Sequence, residues 1–197
     1  MQSATLKVRN FIEKTLINNL AFFDTMEREW HTLDTYRINK FFTLFRKFFE
    51  ESIRYLIQHK LEDSLTNEFI NLLSEGPFHP TNGSLGIKFH CISLYLDEIY
   101  RVTSNSLSFE QLNRFIKPLY KLMAYSLDDR VLNHIKEDVF DVLLESCASE
   151  NSKKEEEIDN DEEDDDWKQR NPQIDVKKFQ VDPLMIVDNL FEFAKLT

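Results

Sequence analysis

Apolar side chains recur at helical spacing through most of this chain, and nowhere does the pattern settle into the strict alternation of a strand. Leu16, Leu20, Phe23, Met26 and Trp30 predict one long helix or two joined ones over about Leu6 to Trp30. Asp34, set between Leu33 and Ile38, has the form of an N-cap with a hydrophobic staple. It predicts a second helix from about Thr35 to Lys60, whose stripe contains Phe41, Leu44, Phe45, Phe48 and Leu56. Leu65, Phe69, Leu72 and Leu73 predict a third, stopped at Gly76-Pro77. A fourth opens near Gly86 and carries Ile92, Tyr95, Leu96 and Ile99. Ser108 and Gln111 form a capping box for a fifth, which Pro118 is expected to kink or divide. A sixth runs from about Asp129 to Cys147 with Leu132, Ile135, Val139, Val142 and Leu143 facing inward.

Helix pairs in succession predict an all-α fold of stacked antiparallel helix hairpins, a HEAT-like α-solenoid, over residues 1–148. Residues 149–181 are polar and acidic at their start and are expected to form a disordered linker and extended segment. Asp182-Pro183 then supplies a cap and a first-turn proline for a last helix over 182–197 with Ile186, Val187, Leu190, Phe191 and Phe193. A helix this apolar is expected to dock back onto the body.

Composition sharpens the picture at three points. The three glycines all fall between Gly76 and Gly86, so the rest of the chain has few turn signals and its helices should be long. Cys91 and Cys147 lack CxxC spacing and sit in helical patterns, as expected of reduced thiols buried as small hydrophobes. No segment approaches the ~20 apolar residues of a membrane span, and none after Met1 has signal-peptide form, so a soluble, non-secreted protein is expected. Net charge is -11 over the 197 residues, but residues 151–166 alone hold ten acids against two lysines. Residues 1–150 hold 21 acids against 17 bases, so the body is mildly acidic and any RNA contact should be local.

Candidate chemistry is sparse. His90 and Cys91 are sequence neighbours on a helix and point apart, as do Asp97 and Glu98, so neither pair forms a catalytic couple. Without a Walker sequence, zinc spacing or Gly-rich phosphate loop, a non-enzyme is expected, with no cofactor, metal or small-molecule substrate. On the second helix Lys40, Lys47 and Arg54 repeat every seven residues and could track phosphates, with Glu51 close enough to weaken their field.

The segment Phe22-Phe23-Asp24-Thr25-Met26-Glu27-Arg28-Glu29-Trp30, followed by Asp34, Arg37, Lys40 and Arg46, carries more identity than helical periodicity requires. It resembles the ribosomal RNA-processing protein 1 family, also called the nucleolar protein fifty-two family, with Phe23 in place of Trp, Asn39 in place of Asp and Phe45 in place of Ile. A second block, Gly86 to Ile99, resembles the family's Gly-Val-Arg-x-His-x-x-Asp-Ile-Tyr-Leu-Asp-Glu-Leu, with Ser93 replacing an acid and leaving any salt bridge at that position in doubt. Weaker echoes follow at Phe115-Ile116-Lys117-Pro118 and Val187 to Phe191. Relative to the family the chain is expected to lack N-terminal helices and a lysine-rich tail; if those helices normally cover Phe22 and its neighbours, an exposed apolar patch is expected there.

The resemblance implies a non-catalytic nucleolar factor that scaffolds precursor ribosomal particles, mainly of the large subunit, and supports pre-rRNA processing. It implies other assembly factors and ribosomal proteins as partners, with direct pre-rRNA contact a further expectation. The candidate contact residues are Arg28, Trp30, Arg37, Lys40, Arg46, Lys47, Arg54 and Lys88, and an ion-pair role stays open for Arg28, Arg37 and Arg46. A cytoplasmic helical adaptor and an acidic chaperone for basic proteins are the alternatives.

Overall fold

The computed structural model describes residues 21–104, 106–145 and 182–195. The start of the first predicted helix, Cys147 and the acidic linker lie outside them. Among the described residues every regular element is helical: α1 (Ala21–Trp30), α2 (Thr35–Gln58), α3 (Asp63–Glu75), α4 (Leu85–Thr103), α5 (Phe109–Tyr125), α6 (Asp129–Ile135) and α7 (Pro183–Ala194). α6 runs on into a π-helical turn, Lys136–Asp141. Asp34 accepts from the backbone N–H of Arg37 at 2.9 Å to cap α2, and Ser108 and Gln111 cap α5 reciprocally.

The packing partners define two layers. α2 lies against α4 and α4 against α6, while α3 lies against α5 and α5 against α7. From α2 onward each helix therefore packs on the one two places along, and contacts of α2 with α3 and of α5 with α6 join the layers. That is the arrangement of stacked hairpins, each unable to cover its own apolar face and covered by the next. The core runs between the layers through Phe45, Phe49, Ile53, Phe69, Leu73, Phe78, Tyr95, Phe115 and Leu119, all buried.

Four local expectations are corrected. Leu44 is not in the buried stripe of α2 but 42% exposed at its edge, and Phe49 and Ile53 fill the core instead. Pro118 does not divide α5, because its ring is buried in the core and only one backbone hydrogen bond is forfeited. In α6 Val131 and Phe140, rather than Leu132, take buried positions. The buried set Val131, Ile135, Val139 and Leu143 steps by four, which would drift round an α-helix by roughly 40° per step; the wide turn at Lys136–Asp141 takes up that drift.

The fourth correction concerns Phe22. It and Phe23 are buried, with Phe22 stacked on Phe48 at 4.5 Å between ring centroids and edge-on to Phe45 at 5.8 Å. Apolar surface is left open elsewhere, α7 contributing part of it. Ile186 of that helix is 1% exposed and Leu190 packs against the core, whereas Leu184 and Phe191 face outward.

Candidate interaction surface

α1 positions everything around it through one face. Phe23, Glu27 and Trp30, spaced by four and three residues, each press on one of the chain's three glycines. A Cβ on Gly76 would meet Phe23 at 2.9 Å, one on Gly83 would meet the Glu27 carboxylate at 2.9 Å, and one on Gly86 would meet the Trp30 ring at 2.7 Å. Gly83 also has a φ of 91°, in the region that favours glycine. Glu27 Oε2 accepts from the backbone N–H of Ser84 at 2.7 Å, so α1 holds the loop that leads into α4.

Lys88 completes that latch from the other side. Its ammonium donates to the carbonyls of His79 at 2.6 Å and Asn82 at 3.2 Å, and burial pushes it below the ordinary lysine range. Lys88 is 3% exposed, so it departs from its expected role as a surface contact and ties the loop to α4 instead. Trp30 is half-buried, tilted on Phe42 at 5.9 Å.

Between α2 and α4 runs a charged seam built from two buried carboxylates. Glu50 accepts from Lys47 at 2.6 Å and Arg54 at 2.8 Å and lies 3.1 Å from Arg101. Glu98, fully buried, accepts from Arg101 and lies 3.4 Å from the Nε of Arg46. Arg54 reaches Glu51 as well, at 2.5 Å. Burial alone would raise Glu50, but the Lys47 and Arg54 hydrogen bonds and the charge of Arg101 outweigh it and bring the carboxyl down to about 2. The acids thus hold four cationic side chains from beneath while their ends stay half in solvent. The fixed guanidinium groups could meet an anion with little ordering cost, although the seam's positive charge is largely balanced.

Asp97 sits at the edge of this seam under different pressure. Burial pushes its carboxyl up to about 6, with Arg46 pulling it down and Glu98 and Asp138 pushing it up. Asp138 accepts a 2.5 Å hydrogen bond from Ser93, so the serine that replaces the family acid bonds a carboxylate where a second carboxylate would be repelled.

The remaining candidates divide by partner. Arg28 pairs with Glu29 at 3.1 Å, and Arg37 pairs with the capping Asp34 at 2.8 Å while reaching the carbonyl of Thr32. Lys40 is exposed and has no ion-pair partner among the described residues. It stands in an outward row on α2 with Tyr36, 89% exposed, Leu44 and Lys47. His90 stacks on Phe42 at 3.9 Å with its Nε2 3.4 Å from the Phe42 carbonyl, and burial holds the imidazole below its usual range. Cys91 is fully buried, which keeps its thiol protonated. Among the described residues no group of three or more His, Cys, Asp or Glu is placed to hold a metal ion.

Residues 11–184 match the family described as "Nucleolar protein, Nop52". The chain belongs to this family. Ribosomal RNA processing protein 1 homolog A of Homo sapiens is 33% identical over 126 residues, which is 64% of this chain and 27% of that protein. Homolog B of Homo sapiens is 31% identical over the same length, 64% of this chain and 17% of that protein. The homolog of Dictyostelium discoideum is 25% identical over 152 residues, 68% of this chain and 31% of that protein. The chain thus spans less than a third of the length of these relatives. The two blocks that carry the resemblance to the Nop52 family, Phe22 to Arg46 and Gly86 to Ile99, meet in space. Trp30 closes on Gly86, Phe42 on His90, and Arg46 on Glu98.

Sequence reasoning missed Glu50 and Arg101 and treated Glu98 only as a poor catalytic neighbour. Helical spacing could have found the local part of the seam. Glu50 lies three after Lys47 and four before Arg54, and Glu98 lies three before Arg101. Only the packing of α2 on α4 joins the two sets.

Proposed function

We propose that this chain works in pre-rRNA processing as a non-catalytic scaffold within precursor ribosomal particles, mainly those of the large subunit, in the nucleolus. The relatives' names supply the process. The observation that carries the reading is the outward row of α2, where exposed Tyr36 and Leu44 alternate with Lys40 and Lys47. Exposed aromatic and aliphatic side chains interleaved with cations fit a face that a protein or ribonucleoprotein partner covers, since burying Tyr36 recovers much apolar area at little rotamer cost. A two-layer helical stack keeps that row straight and rigid, which suits assembly more than catalysis. Arg37 is the wrong residue to probe, because it also serves the Asp34 cap.

Capture of the tagged chain from its own cells, followed by sequencing of bound RNA, tests the reading. Precursor rRNA of the large subunit is expected with the native chain and is expected to fall several-fold with Tyr36→Ala/Lys40→Glu. Equal recovery with both chains would remove α2 as the contact face. Recovery of no precursor rRNA with either would overturn the assembly role.

A further inference from the structure

On the opposite layer, α3 and α5 enclose a polar groove of about 430 Å³ that none of the readings above uses. One wall is Asn67, Asn71 and Ser74 of α3, and the other is Arg114, Lys117 and Lys121 of α5, over an Ile70 floor. Both rows follow the same rule, steps of three or four along one helix face, so the cations form a file about 10 Å long. The acids that pair with this file among the described residues stand toward its ends, Asp63 at 2.8 Å from Arg114 and Glu75 at 3.4 Å from Lys121. Lys117, in the middle, is exposed and has no ion-pair partner among the described residues. Ser74 is committed to the carbonyl of Ile70, whereas the side-chain amides of Asn67 and Asn71 make no hydrogen bond among the described residues. This differs from the seam on α2, where Lys47 and Arg54 are each held by acids at 2.8 Å or closer.

We infer that the α3–α5 groove binds the phosphodiester backbone of single-stranded RNA. A file of cations along one wall fits an anion that repeats along a chain, and primary amides opposite can donate to phosphate oxygens and both donate to and accept from a 2′-hydroxyl. In a body whose net charge is acidic, such contact has to be local, and this groove is a place where donors outnumber acids. The inference rests on the assembly reading above, which sets the chain beside precursor rRNA.

The test is fluorescence anisotropy of a short labelled oligouridine with the full 197-residue chain across a salt series. Lys117→Gln/Lys121→Gln is expected to weaken binding at least about tenfold at low salt and to flatten the salt slope by about 1.4, roughly 0.7 for each phosphate no longer neutralised. Lys117→Arg/Lys121→Arg should restore both. Circular dichroism checks that each variant keeps its helices. Unchanged affinity and slope in the glutamine variant overturn the groove, as does binding of a phosphorylated acidic peptide by a chain that ignores the RNA. Capture of precursor rRNA in cells is a separate readout. A native chain that recovers precursor rRNA while its glutamine variant binds oligouridine undiminished sinks the groove and leaves the assembly reading standing. A native chain that recovers none, yet loses oligouridine through the glutamine change, sinks the assembly reading and supports the groove.

Discussion

Glu50 and Asp97 answer to the same charged seam in opposite directions. Glu50 is brought to about 2 by donors that outweigh its burial, while Asp97 is raised to about 6 by a burial that Arg46 does not offset. The folded chain therefore holds the Glu50 proton less tightly than the unfolded chain and the Asp97 proton more tightly. Glu50 contributes stability above its unfolded value of 4.5 that is lost as pH falls toward 2, whereas Asp97 is penalised above 6 and relieved as pH falls toward 3.8. Asp97→Asn should accordingly raise the Tm at about pH 7.5 and leave it unchanged near pH 4, with Glu50→Gln lowering stability by on the order of 1–2 kcal/mol at neutral pH, most of which persists near pH 4. Thermal unfolding at the two pH values checks both, and an Asp97→Asn gain that persists at the acid end would contradict the assignment. Little of this was legible in the sequence. Glu50 and Glu98 look like ordinary surface acids at helical spacing from arginines, and what buries them is the approach of α2 to α4.

At the scale of elements, caps and stripes read well because they are local. Asp34, Ser108 with Gln111, and Asp182 all cap as their spacing requires, the last accepting from the N–H of Leu184 at 3.0 Å. The edge residue Leu44 and the π-helical turn of α6 read badly, since both depend on which neighbour a helix meets. The glycines form a middle case. Their clustering announced a connection, but that each marks the footprint of one α1 side chain emerged only in three dimensions. Gly86→Ala should push the Trp30 ring off its seat and cost about 1–3 kcal/mol by overpacking, measured by urea unfolding with Trp fluorescence. No loss of stability would mean that the ring yields freely and that α1 is not fixed there. α7 depends on α5 in a parallel way. Ile186→Ala should cost about 2–5 kcal/mol if the helix unfolds with the body. A smaller loss accompanied by faster proteolysis near residue 183 would show α7 detaching by itself.

For the whole molecule, the two-layer order α2–α4–α6 and α3–α5–α7 was implied by unbroken helical periodicity and scarce turn signals. The placement of the proposed contact surfaces was not, because the outward row of α2 and the α3–α5 groove lie on different layers and share no sequence motif. The family blocks mark instead where α1, α2 and α4 interlock, so much of their identity serves packing: Lys88 and Trp30 are seated in the fold, and Glu98 anchors arginines. Among the described residues the stack presents a mixed apolar and cationic row on α2 and a cationic groove between α3 and α5, an arrangement suited to holding partners together. Sedimentation of the tagged protein from its own cells on a sucrose gradient, with fractions probed for precursor and mature rRNA, shows whether it does so. Co-migration with large-subunit precursors is expected, with Tyr36→Ala/Lys40→Glu shifting into the light fractions at unchanged Tm. Migration of the native chain as a free protein in the light fractions alone would contradict the assembly role.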